Sequence, residues 1–271
     1  PLMAVVGLVV HEHRNEAIDQ AAGLASWLTS EGHEVRHPLN GDNVEGLALV
    51  VSLGGDGSIL RTVDLLNGAP VPVLGVNFGQ LGYLTACEPD QVQEAVSKAL
   101  SGECQLEDRM MLCVEVQNAE GKMLAIDHAL NEVVVERHGP TIRVGVSLDG
   151  EFFTSYAADG LIVATPTGST AYAFSAQGPI VDATHRSLQV TPVSAHMLFD
   201  RTMVLDPATE VRLEVLGDRP AACNVDGREQ ALLSEGDQVV VTASDRVTRL
   251  VTFGQHHFAR VLKTKFGLED R

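Results

Sequence analysis

Two stretches of this chain carry side chains spaced for chemistry. In the first, Leu47 to Ser58 (LALVVSLGGDGS), a continuous apolar run stops at two glycines followed by an aspartate. Such a run, bounded by turn residues, reads as a strand covered on both faces, as in the parallel sheet of an α/β domain. Ligands of those sheets bind just beyond the carboxyl ends of the strands. Gly54, Gly55 and Gly57 lack a Cβ, so phosphate oxygens can approach the backbone N–H groups directly, and Ser58 is expected to cap a helix running from Ile59 to Leu66. The turn would set anion-binding amides beside the Asp56 carboxylate. Taken alone, it is equally well read as a tight turn in which Asp56 caps the helix. No Lys follows the glycines, which excludes a Walker loop, and their spacing is not that of GxGxxG.

The second stretch is Asp159 to Ser175 (DGLIVATPTGSTAYAFS), a strand running into a turn with four hydroxyls. Thr165, Thr167, Ser169 and Thr170 offer short donors and acceptors, Ala171 leaves space and Tyr172 offers a flat face. That set suits a ribose and a planar base better than an alkyl or acyl group. Helix capping accounts for one or two of these hydroxyls and leaves Asp159, at the strand start, unexplained. Asn131 and Glu132 interrupt another apolar strand. Their side chains would reach one ligand only at a bulge or a strand end, so the residues alone favour one facing solvent and one bonded in the interior.

The elements that must position these groups fall into two patterns. Strand Met3–Val10, helix Arg14–Ser30 with Ala17, Ile18, Ala21, Leu24, Ala25 and Leu28 at helical spacing, a short strand Glu34–His37, strand Leu47–Leu53 and strand Val71–Val76 make a repeated βα winding. A further glycine turn, Asn77–Thr85, and a helix Pro89–Leu100 close that part. From Met110 onward, alternating or β-branched runs between short Gly and Asp turns predict a mostly antiparallel sheet. The expected fold is an α/β N-terminal domain with a Rossmann-like parallel sheet, residues 1–106, then a β-sandwich-like domain, 107–251, and a tail helix, 252–271, packing back on the first domain.

The chain has 271 residues, 45% of them hydrophobic, enough for two cores. A net charge of −17 argues against free nucleic acid and an anionic membrane as partners, so a phosphate site must be built locally from amides, a few Arg and Lys, and metal. Cys87, Cys104, Cys113 and Cys223 show no metal-ligand spacing and read as buried, reduced thiols. No apolar run reaches membrane-span length, and no basic segment precedes the first apolar stretch; a cytoplasmic location is the expectation.

The GGDG turn resembles one shared by NAD kinases, diacylglycerol-type lipid kinases and 6-phosphofructokinases, which suggests phosphoryl transfer to a hydroxyl. The resemblance becomes specific when GGDGSILR (Gly54–Arg61), LNEV (Leu130–Val133) and DGLIVATPTGSTAYAFSAQGP (Asp159–Pro179) are taken in order: together they are similar to bacterial-type NAD kinases over nearly the whole chain. TPTGSTAY is the discriminating segment, because the lipid kinases and phosphofructokinases lack it.

The resemblance implies transfer of the γ-phosphoryl group of ATP, or a phosphoryl group of polyphosphate, to the adenosine 2′-hydroxyl of NAD, with Mg²⁺ carried on the donor and no dedicated metal cluster. It makes Asp56 the candidate general base and puts Gly57 and Arg61 near the dinucleotide, Tyr83 beside the site, and Asn131 and Glu132 on the acceptor. Asp159 matches the carboxylate on the nicotinamide side, and Thr170, Ala171, Tyr172 and Ser175 match the adenosine pocket. Ala157 stands where some members carry a charge associated with preference for NAD⁺ over NADH, leaving that preference open, and Arg228 stands where Gln is common. Other departures are Gln177 for a glycine, Thr202 after Arg201 where Pro is common, and Ala195 before His196. A homodimer or homotetramer is the assembly that the resemblance implies. Two other readings stand beside it: a lipid kinase, disfavoured by the negative charge, and a nucleotide sensor that kept the fold without the chemistry, disfavoured by an intact Asp56.

Overall fold

The computed structural model describes residues 3–37, 39, 41–79, 82–254 and 257–268. In chain order the elements are β1 (Val5–Val10), α1 (Asn15–Ser30), β2 (Glu34–Arg36), β3 (Leu49–Gly54), α2 (Asp56–Leu66), β4 (Val73–Asn77), α3 (Val92–Ser101), β5 (Gln105–Gln117), β6 (Met123–Ala129), β7 (Glu132–Arg137), β8 (Ile142–Leu148), β9 (Glu151–Ala158), β10 (Gly160–Ala164), α4 (Tyr172–Ser175), β11 (Leu188–Val193), β12 (Met203–Leu205), β13 (Val211–Leu216), β14 (Ala221–Val225), β15 (Arg228–Leu233), β16 (Gln238–Thr252) and α5 (His257–Lys265). They divide into two compact units, residues 1–108 with 247–271, and residues 109–246.

In the first unit β1 pairs in parallel with both β2 and β3, and β3 with β4. The last part of β16 adds one more parallel partner, through Leu250 opposite Val73. Every residue of β3 is buried, because helices cover both faces of a parallel sheet and leave no polar side for the run LVVSLG to alternate with. Helix α1 turns Ala17, Ala21, Leu24 and Leu28 inward against Leu8, Leu53 and Val76 of the sheet core, whereas Ile18, expected on that face, is 44% exposed. Helix α2 buries Ile59, Thr62, Val63 and Leu66 and stops at Asn67, whose φ of +44° marks a left-handed terminus. Helix α5 buries Val261 and holds the Lys265 ammonium 4.1 Å from the centre of the Tyr83 ring. Of the expected tail helix, Gln255 and the side chain of Phe258 lie outside the described residues.

The second unit is built mainly from antiparallel strands. One group runs β16, β13, β8, β9, with β5 pairing both β16 and β6; the other runs β12, β11, β10, β7, β14, β15. Their apolar faces share a single core that takes Leu112 and Val114 from β5, Val144 and Tyr156 from β8 and β9, Leu161 and Val163 from β10, and Val211 and Leu213 from β13. Alternation along β13, buried and half-buried in turn, is the period-two signature of a sheet with one face inside. The opposite face of the second group is also covered: Val134, Ile162 and Ala164 pack with Ala173 of α4, which brings the hydroxyl-rich turn onto β7 and β10.

All four cysteines are free. Burial first, and nearby carboxylates after it, push the Cys87 and Cys223 thiols up to about 12, and burial raises Cys104 and Cys113 as well. The two units hold two thiols each.

Candidate active site

The first group of site residues gathers at the carboxyl ends of β1, β3 and β4. Gly55 is the N-cap of α2, with φ −166° and ψ −164°, and Asp56 is its first helical residue. The helix therefore starts earlier than the expected Ile59, and Ser58 does not cap it. Ser58 lies inside the first turn, buried beneath Gly54, where a Cβ on Gly54 would stand 2.0 Å from its hydroxyl oxygen. Gly54 is thus required by close packing, whereas Gly55 and Gly57 face open space. That is the arrangement in which the unpaired amides of a helix start stay accessible to an anion.

The Asp56 carboxylate is fixed by the chain after β4. Its Oδ2 accepts the backbone N–H of Tyr83 and its Oδ1 that of Leu84, both at 3.0 Å. Gly82 leaves room for it, since a Cβ there would fall 2.3 Å from Oδ1. Each carboxylate oxygen keeps a further lone pair, so Asp56 is oriented without being saturated. Burial, then the charge of Asp56, raises the Tyr83 hydroxyl above its usual range. Buried Asn77 braces the same loop, donating to the Gly79 carbonyl and to Glu88 Oε1, each at 3.1 Å.

A cleft of about 460 Å³ opens over this turn, lined by His11, Glu12, His13 and Arg14 after β1, by Gly54, Gly55, Gly57, Ser58 and Arg61, and by Asn77 and Gly79. Arg61 forms an ion pair with Glu12 at the rim, both largely exposed. The sequence reading missed His11, His13 and Arg14, although HEHR directly follows an apolar strand, at the end where ligands of such sheets bind.

The second group lies in the second unit and is organised by a residue that the sequence reading passed over. Asp226, in the turn from β14 to β15 with φ +45°, accepts the backbone N–H groups of Leu130 (2.7 Å), Asn131 (2.9 Å) and Glu132 (3.1 Å). Asn131 and Glu132 therefore sit at a strand end, the geometry that lets neighbours serve one ligand. The DG turn in VDGR was the available signal. Arg228, two residues on, pairs with Asp127 Oδ2 at 3.0 Å.

Glu132 is buried, and its Oε2 has no hydrogen-bond partner among the described residues. Burial, reinforced by the Asp226 charge and opposed by a bond from the Tyr172 N–H, pushes its carboxyl up to about 8. Burial raises Asp226 too, against its backbone donors and Arg228. The Tyr172 hydroxyl is raised by burial and then by Glu136, Asp159 and Glu132, which places these groups about one another. Asp159 is held by Arg137 at 3.0 Å, and Ala157, Tyr172 and Ser175 are exposed.

The hydroxyl-rich turn corrects one expectation. All four of its hydroxyls have partners within the protein, and three of them are buried. Thr165 Oγ1 donates to the Leu130 carbonyl at 2.6 Å and accepts the Gly168 N–H at 3.1 Å. Ser169 Oγ exchanges two bonds with the Val181 backbone, at 3.1 and 3.0 Å, and Thr167 accepts from buried Arg109 at 3.4 Å. Thr170, half-buried, bonds back to the Thr167 carbonyl at 3.2 Å. These bonds, with Gly168 pressed on the Asn131 carbonyl, lock the turn onto the start of β7.

Among the described residues no group of three or more His, Cys, Asp or Glu is placed to hold a metal ion, and no helix is long and apolar enough to cross a membrane. Residues 38–104 match the family model described as ATP-NAD kinase N-terminal domain, and residues 130–253 match that of the C-terminal domain. An NAD kinase of Heliobacterium modesticaldum is 36% identical over 97% of this chain and 98% of its own. One from Syntrophotalea carbinolica is 34% identical over 99% and 100%. Among solved structures, an NAD kinase from Archaeoglobus fulgidus in complex with ATP superposes with a TM-score of 0.77 at 25% identity, over 99% of this chain and all of that one. Yeast NADH kinase complexed with NADH shares the fold, with a TM-score of 0.87 at 22% identity over 99% of this chain and 89% of that one.

Proposed function

The chain belongs to the NAD kinase family and is a kinase that makes NADP from NAD, and from that premise we propose that Asp56 serves the adenosine 2′-hydroxyl while the glycine-lined cleft holds the phosphates of ATP. The observation that carries this is the Asp56 carboxylate, fixed by the Tyr83 and Leu84 amides at the start of α2, beside a cleft walled by Gly55 and Gly57.

Phosphoryl transfer asks the protein chiefly for in-line positioning and neutralisation of charge. Asp56 orients the attacking hydroxyl and accepts its proton as the new O–P bond forms and the bond to the leaving ADP breaks. The first-turn amides of α2, with Arg14 and Arg61, balance the charge on the transferring group. Asn131 and Glu132, together with Asp159, Thr170, Ala171, Tyr172 and Ser175, hold the acceptor. Magnesium, proposed to arrive on the donor phosphates, suits a hard oxygen donor such as Asp56 and would supply further charge neutralisation. Polyphosphate as an alternative donor, a homo-oligomer as the working assembly and a cytoplasmic location belong to the same proposal.

The test is NADP⁺ formation from NAD⁺, ATP and Mg²⁺, read by a coupled NADP-specific dehydrogenase. Asp56→Asn is expected to lower kcat about 10²- to 10⁴-fold while NAD still binds. Turnover by the variant at the wild-type rate would remove Asp56 from the chemistry.

A further inference from the structure

The Asp56 carboxylate borders one more polar group, which the chemistry described so far leaves unused. Thr85 is 3% exposed, and its Oγ1 has no hydrogen-bond partner among the described residues. A hydroxyl shut away from water without a partner destabilises a fold, so its presence calls for a reason. Two glycines show where this one sits. A Cβ on Gly82 would fall 2.3 Å from Asp56 Oδ1 and 3.0 Å from Thr85 Oγ1, so the two oxygens border the same small gap. A Cβ on Gly75 would stand 3.0 Å from Thr85 Cα, so the chain at Thr85 lies directly on β4. Resting on the NAD kinase reading, we propose that Thr85 is a positioning residue for phosphoryl transfer: its hydroxyl donates to Asp56 Oδ1 when the acceptor is bound and holds the carboxylate turned toward the 2′-hydroxyl.

The chain around Thr85 is fixed on both sides. Before it, the Tyr83 and Leu84 N–H groups hold the two Asp56 oxygens. After it, the Ala86 N–H donates to the Gly75 carbonyl at 2.8 Å, and the Asn77 N–H donates to the Cys87 carbonyl at 2.9 Å. A β-branched side chain on a fixed backbone is stiff about χ1, so the hydroxyl has few places to go. The two amides give each carboxylate oxygen one donor and leave both oxygens open to the acceptor. A second donor on Oδ1 removes that ambiguity, because it fills Oδ1 and leaves Oδ2 to face the attacking hydroxyl. Hydrogen bonds to an ionised carboxylate are the strong ones, and small errors in the placement of a reacting group cost rate steeply. Thr85 is too deeply buried to touch substrate, so its effect passes through Asp56.

The full chain would be compared as wild type, Thr85→Val and Thr85→Ser, by steady-state NADP⁺ formation, calorimetric titration with NAD⁺ and urea unfolding. Valine keeps the branched shape and removes only the hydroxyl; serine keeps the hydroxyl and removes the branch. Thr85→Val is expected to lower kcat about 10- to 100-fold, the equivalent of one hydrogen bond to a charged group, with KM for NAD and for ATP and the calorimetric affinity for NAD⁺ left in place. Its urea midpoint is expected to hold or rise, because a buried hydroxyl without a partner is gone. Thr85→Ser is expected to recover most of kcat. A Thr85→Val enzyme with wild-type kcat would overturn the assignment, and so would a loss of kcat that came with a lowered urea midpoint, which marks a merely structural role. Serine no better than valine would overturn it as well. A wild type that made no NADP would remove the kinase reading and this assignment with it, whereas a working wild type equalled by Thr85→Val removes the assignment alone.

Discussion

Replacing Glu132 by Gln should make the protein more stable, and increasingly so as pH rises. The folded chain holds the Glu132 carboxyl at about 8, against an ordinary value of 4.5, chiefly because the group is buried beside Asp226. A carboxyl with a raised folded pKa binds its proton more tightly when folded. Its contribution is complete below 4.5 and is lost as pH climbs through 8. The glutamine of the variant has no such proton to lose. Over pH 5 to 9 the stability difference between variant and wild type should grow by about 4 kcal/mol in the variant's favour, at about 1.36 kcal/mol for each pH step between the unfolded and folded values. The assay is urea unfolding at several pH values, followed by far-UV circular dichroism. Fluorescence is unsuitable, since the single tryptophan, Trp27, lies in α1 of the other unit. A difference that stays flat across that range would refute the reasoning, because it would mean that Glu132 ionises inside the fold without penalty.

Further expectations follow from close approaches. Gly82→Ala would drive a Cβ to 2.3 Å from Asp56 Oδ1; with the carboxylate displaced, kcat should fall about 100-fold while the circular dichroism spectrum is retained. Gly168→Ala meets backbone, the Asn131 carbonyl oxygen at 2.2 Å, and should cost about 1–3 kcal/mol in urea unfolding. Gln177 holds φ +66°, a region that costs any residue with a Cβ, so Gln177→Gly should stabilise by about 1 kcal/mol, read as a raised midpoint of thermal unfolding.

Much of this architecture was legible in the residues, because periodicity reports burial directly. The run before Gly54 declared a strand buried on both faces, and the alternation after Met110 declared a sheet with one inner face. Helix starts were less legible: Ser58 is a good cap by type, yet the turn closes at Gly55 because the Gly54 backbone rests on the Ser58 side chain. The turn hydroxyls misled for a related reason. Side-chain type tells what a threonine can bond, not whether a carbonyl such as that of Leu130 has claimed it first. The DG turn marked Asp226 as a turn residue but not as an organiser, because its partners, Leu130, Asn131 and Glu132, are distant in sequence and bond through main-chain groups that leave no trace in residue identity. Gln177 was noted as a departure, and the structure shows it in the left-handed backbone region that favours glycine.

The four thiols described with the fold amount to a pair of internal clocks. Cys223 is buried and the other three are half-buried, and burial raises all four, so each reacts slowly with an alkylating reagent while its unit is closed and faster when that stretch of chain opens. Cys87 and Cys104 keep time for the unit that carries Asp56, and Cys113 and Cys223 for the unit that carries Glu132. With no probe added, pulsed alkylation resolves which half yields first under heat, and whether ATP or NAD slows one clock and not the other.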